Sequence, residues 1–148
     1  MKTLKNILIL ILLTLTTSSF AQKSITKIDS KTGVHYIIPS LEYPILGTYL
    51  FKGTEPLVAL NAGGTGIYQL HDQPKRPMVW GIECNEAGEP KCTKGFDNAA
   101  YTLWYSFTDG TQNGEQAWYA VELSVHFNSN KIFIQGERMK TFSGEEKK

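Results

Sequence analysis

The motifs that mark common enzymes are missing from this chain. It has no G-x-S-x-G nucleophile turn, and its one adjacent His-Asp pair, His71-Asp72, has no nucleophile motif to serve. No C-x-x-C and no H-x-H occurs. The three histidines, His35, His71 and His126, sit on separate segments, so they read as surface or edge residues, the alternative being a metal site assembled in space. Gly63-Gly64-Thr65-Gly66 is followed by no lysine and no helix, which makes it a hairpin turn instead of a phosphate loop. Charge of one sign is also lacking. After removal of the leader described next, 13 basic side chains face 14 acidic ones, and that balance argues against nucleic acid or an anionic membrane surface as a default partner, since both need a basic patch. No catalytic residue, metal or cofactor is expected.

The one long apolar run lies at the start. Lys2 and Lys5 precede Ile7 to Leu15, and Ser19-Phe20-Ala21 forms a small-x-small cleavage site before Gln22. The run is shorter than the ~20 residues that span a bilayer, and Gln22 stands where a lipid anchor would need cysteine. Residues 1–21 therefore read as a cleaved signal peptide, and the mature chain is expected in the periplasm or outside the cell, with no membrane anchor. The 127 residues that remain of 148 suit a single domain. Residues 22–33 read as an N-terminal extension, 34–142 as the domain and 143–148 as a charged, solvated tail.

Cysteine is scarce, and both copies, Cys84 and Cys92, fall in the exported part. An even count in an oxidising compartment predicts a disulfide across the polar loop Asn85 to Lys91, with a metal site or a redox pair as the alternatives.

Apolar stripes at helical spacing are absent, whereas short alternating or β-branched and aromatic runs recur. Eight strands are predicted: His35 to Ile38, Thr48 to Lys52, Leu57 to Asn61, Gly66 to His71, Met78 to Cys84, Ala100 to Phe107, Trp118 to Phe127 and Lys131 to Lys140. Turn residues separate them, including Ala62-Gly63-Gly64, Asp109-Gly110, Asn113-Gly114 and Asn128-Ser129-Asn130. The fold class is all-β, a single antiparallel up-and-down barrel or strongly curled sheet of about eight strands.

Alternation assigns faces. Tyr119, Val121, Leu123, Val125 and Phe127 form a core set, as do Tyr101, Leu103, Tyr105 and Phe107. A hairpin loop from Thr108 to Gln116 centred near Gln112 sets Trp104 across from Ala120 and Ser106 across from Trp118. Trp104, Trp118, Glu122 and His126 then share the other face. Two readings compete there: an aromatic platform that binds a sugar or a protein, or a face covered by a loop or the N-terminal segment. A three-residue turn at Asn128 to Asn130 adds Ile132 and Ile134 to the same face and favours cover.

Gly47-Thr48-Tyr49 opening a strand, the Leu57 to Leu70 hairpin with its glycine turn, and Arg138 in the last strand resemble a bacterial lipocalin-like domain. In that family a Gly-x-Trp opens the first barrel strand and a basic residue on the last strand packs across the tryptophan. Tyr49 takes the place of the tryptophan here and Arg138 that of the basic residue, while the family's Thr-Asp-x-x-Tyr element is missing. The resemblance implies a barrel holding one small apolar or amphipathic ligand, with Tyr49, Tyr105 and Tyr119 as its lining. The alternatives are a protein-binding module (an enzyme inhibitor or immunity factor presenting Thr108 to Gln116 or Asn85 to Lys91) and a glycan-binding surface built on Trp104, Trp118 and Glu122.

Overall fold

The computed structural model describes residues 24–50, 57–69, 72–110, 116–134 and 137–139. Among these residues eleven strands run β1 (Thr26–Ser30), β2 (Gly33–Ile38), β3 (Gly47–Leu50), β4 (Leu57–Asn61), β5 (Thr65–Gln69), β6 (Arg76–Cys84), β7 (Cys92–Lys94), β8 (Asn98–Phe107), β9 (Tyr119–His126), β10 (Lys131–Ile134) and β11 (Glu137–Met139). Among the described residues no helix is long and apolar enough to cross a membrane. The predicted signal peptide, His71 and the charged tail lie outside them.

Eight of the strands close a ring of antiparallel pairs. β3 pairs with β4, β4 with β5, β5 with β6, β6 with β8, β8 with β9, β9 with β10, β10 with β11, and β11 returns to β3. The long strand β6 is the junction. Its N-terminal half pairs with β5 and its C-terminal half, Ile82 to Cys84, with β2, so the β1–β2 hairpin leaves the ring there. Between β4 and β5, Gly63 and Gly64 both take positive φ (77° and 79°), the left-handed conformation the predicted glycine turn supplies.

Ring closure follows from alternation, because one face of every strand is apolar and only the lumen can bury all of them. Tyr49, Val58, Leu60, Met78, Trp80, Ile82, Leu103, Leu123, Ile132 and Ile134 meet inside, each at most 2 % exposed. The link from β2 to β3 closes one end with Ile45, and Tyr43 on that link lies against Phe127. The lumen is thus packed with side chains, one of the two ways a barrel of this size resolves.

A smaller core lies outside the ring. Gly81 of β6 pairs with Trp104 of β8, and a Cβ at Gly81 would come within 2.8 Å of the Ile37 side chain. Glycine there lets β2 settle onto the barrel wall, where Ile28 and Ile37 cover Trp104, with Trp118 packed at the margin. The cover reading of this face is the one that holds for Trp104, and the covering piece is the N-terminal segment. Residues 26–30, read from sequence as part of an extension, form the sheet strand β1.

Three expectations need correction. The β9–β10 turn has four residues, 127–130, since Lys131 pairs with His126; that register sets Ile132 across from Val125 and Ile134 across from Leu123, inside the barrel and away from the tryptophan face. Phe127 is in that turn and not in the core, at 39 % exposed. No disulfide joins Cys84 to Cys92: both are thiols, Cys84 in the lumen and Cys92 exposed on β7. The intervening loop is held by Asn85, whose Oδ1 accepts the N–H of Ala87 and Glu89 and whose Nδ2 donates to Glu89, and by the Lys91 N–H donated to the Glu83 carbonyl.

Candidate functional site

Two features stand out: an aromatic cluster at one end of the barrel and a cleft beside the N-terminal hairpin. The cluster follows from register. Tyr68 is paired with Arg76, Met78 with Phe107, and Tyr105 with Tyr119, so three strands deliver aromatic side chains to the same end. Tyr68 stacks on Tyr105 at 4.8 Å and Tyr105 on Tyr119 at 5.4 Å, with Phe107 edge-on to both Tyr68 and Tyr105. Offset and edge-to-face pairs of this kind are worth about 0.5–1.5 kcal/mol beyond their area. The Arg76 guanidinium lies 3.8 Å above the Phe107 ring and clamps Asp109 through Nε and Nη2 at 3.0 and 2.7 Å. That clamp holds Asp109 below and Arg76 above their ordinary pKa values.

Burial divides the three predicted lining tyrosines. Tyr49 is wholly buried and its hydroxyl donates to the Ile45 carbonyl, with desolvation pushing the phenol well above its ordinary pKa. It fills the lumen instead of lining a space. Tyr105 is 8 % exposed, its phenol pushed up to about 12 by burial and by Tyr68 and Tyr119 beside it. Tyr119 is 47 % exposed, so the stack ends on an open ring. Arg138 lies across from Leu50 in the β3–β11 pairing, and Met139 lies across from Tyr49.

Around Trp104 a polar network ties the hairpin to the barrel. The indole N–H donates to Glu83 Oε2 at 3.0 Å, while Oε1 faces His35 Nδ1 and Lys91 Nζ, each at 3.3 Å. The His35 ring stands 4.4 Å from that of Trp104 and its Nε2 contacts Thr32 Oγ1 at 2.9 Å. Burial would raise the Glu83 pKa, but the hydrogen bonds from Trp104, His35 and Lys91 outweigh it and hold the carboxyl below the ordinary carboxylate value. Trp104 is 6 % exposed, so it and Trp118 do not form an open two-ring platform. Glu122 is exposed on β9 across from Thr102.

Trp118 and Tyr119 instead help line a cleft of about 980 Å³, walled on one side by Thr26 to Lys31 and on the other by Gln116 to Tyr119. A smaller cleft of about 410 Å³ lies at the opposite end, between Tyr43-Pro44 and the β9–β10 turn. Among the described residues no group of three or more His, Cys, Asp and Glu side chains is arranged to hold a metal ion. Sequence reasoning missed Arg76 and Asp109, which are 33 positions apart and meet only through the β6–β8 pairing. It missed the β1 wall as well, since Thr26-Lys27-Ile28-Asp29-Ser30 carries a single apolar residue. Comparison of the chain with protein-family models, with curated proteins and with solved structures finds no match in any of the three.

Proposed function

We propose that this is an exported, non-catalytic binding protein that takes a small apolar or amphipathic ligand at the aromatic end of the barrel. The observation that carries the reading is the Tyr68–Tyr105–Tyr119 stack, which is sealed at Tyr105 and open at Tyr119. A flat apolar group extends such a stack by one member, and the Arg76–Asp109 pair supplies a polar rim for the other end of an amphipathic molecule. The packed lumen argues for the mouth over the interior as the place of binding. Export rests on the leader sequence, Met1 to Ala21.

Native mass spectrometry of the mature chain, exported and gently purified, tests this. The expected result is an adduct that disappears on denaturation, is lost in Tyr119→Ala, and persists in Trp118→Ala. A bare mass, or an adduct retained in Tyr119→Ala, overturns the proposal.

A further inference from the structure

The free edge of β1 has a backbone phase and a charge pattern that complement themselves. Among the described residues β1 ends the order of strands in the sheet, with β2 on one side only. The turn to β2 has two residues, Lys31 and Thr32, between the paired Ser30 and Gly33. A turn of that length closes on a hydrogen-bonded pair, and such pairs alternate along an antiparallel ladder. Ser30, Ile28 and Thr26 therefore direct their N–H and C=O groups at β2, while Lys27 and Asp29 direct theirs outward.

The side chains say which chain fits. An antiparallel strand places an acidic residue across from Lys27, an apolar one across from Ile28 and a basic one across from Asp29. Read from its own N-terminus that strand is basic-apolar-acidic, the order of Lys27-Ile28-Asp29 itself. We propose that β1 pairs with β1 of a second copy about a two-fold axis at Ile28. Lys27 of each copy then faces Asp29 of the other, and the outward N–H and C=O of each meet those of its counterpart. Ile28 meets Ile28 at the unbonded position, where its inward-directed backbone groups belong. The interface is isologous and closed, so association stops at the dimer.

Sedimentation equilibrium of the mature protein across a concentration series tests the pairing. Wild-type chain is expected to form a dimer; Lys27→Glu alone and Asp29→Lys alone each put like charges across both symmetric contacts and raise the dissociation constant by about tenfold or more. Mixed together, the two variants regain opposite charges at both contacts, and a heterodimer of near wild-type affinity is expected. That recovery also shows that neither change unfolds the hairpin. A wild-type chain that stays monomeric at every concentration, a single variant that dimerises as well as wild type, or a mixture that does not recover overturns the proposal.

Discussion

Tyr49 shows how a residue suited to lining a cavity becomes a structural one. Its hydroxyl has a buried partner in the Ile45 carbonyl, and Tyr49→Phe is expected to cost about 1 kcal/mol by orphaning that acceptor, as read from chemical denaturation. The phenols of Tyr49 and Tyr105 are held above the ordinary value of 10.0, chiefly by burial. Their stabilising contribution is complete below that value and is lost as pH rises above it through the folded values. Alkaline unfolding is thus expected to begin above pH ~10, and an absorbance titration should show late-ionising tyrosines. Glu83 runs the other way. Its folded pKa lies below the ordinary 4.5, so its contribution is present above that value and is lost as pH falls below it. Trp104 emission is predicted to shift to the red in acid, and Glu83→Gln should remove that transition. The shared face of Tyr101, Tyr105 and Tyr119 was legible from alternation alone. Their exposure was not, because whether Tyr119 or Tyr49 meets solvent depends on which end of the ring each strand reaches.

At the scale of elements, the N-terminal hairpin rests on the one position in β6 that offers no side chain. Gly81→Val is predicted to wedge β2 off the wall, exposing Trp104 and red-shifting its emission, while the far-ultraviolet signature of the ring is retained. A Trp104 spectrum unchanged by that substitution would contradict the packing. The β8–β9 register was legible, since apolar alternation fixes the faces of both strands and a loop centred near Gln112 fixes their pairing, and Trp104 does lie across from Ala120. The next hairpin was misread by a single turn residue, which moved Ile132 and Ile134 to the opposite face. β7 carries no burial at all, and β1 buries one residue, so neither has the periodic signal by which strands are found. Lys131 to Lys140 looked continuous but contains two strands that pair with each other, β10 and β11.

For the whole molecule, the antiparallel barrel of about eight strands was readable because each strand is apolar on one face and the connections are short. Whether its lumen is filled or hollow was not, since composition is the same in either case. The filling comes from three-dimensional sums: large residues from opposite strands, Tyr49, Met78, Trp80 and Leu103 among them, compete for one interior. With that interior occupied, the ligand we propose has the rim as its place of binding, and the account stands or falls on where that ligand touches the barrel. The most direct measurement is the aromatic-ring NMR spectrum of the chain without residues 1–21, before and after removal of the adduct that the proposal expects to co-purify. The account predicts shifted Tyr119 and Tyr105 ring signals and an unmoved Tyr49; a shifted Tyr49 ring beside an unmoved Tyr119 would contradict it and return the ligand to the lumen.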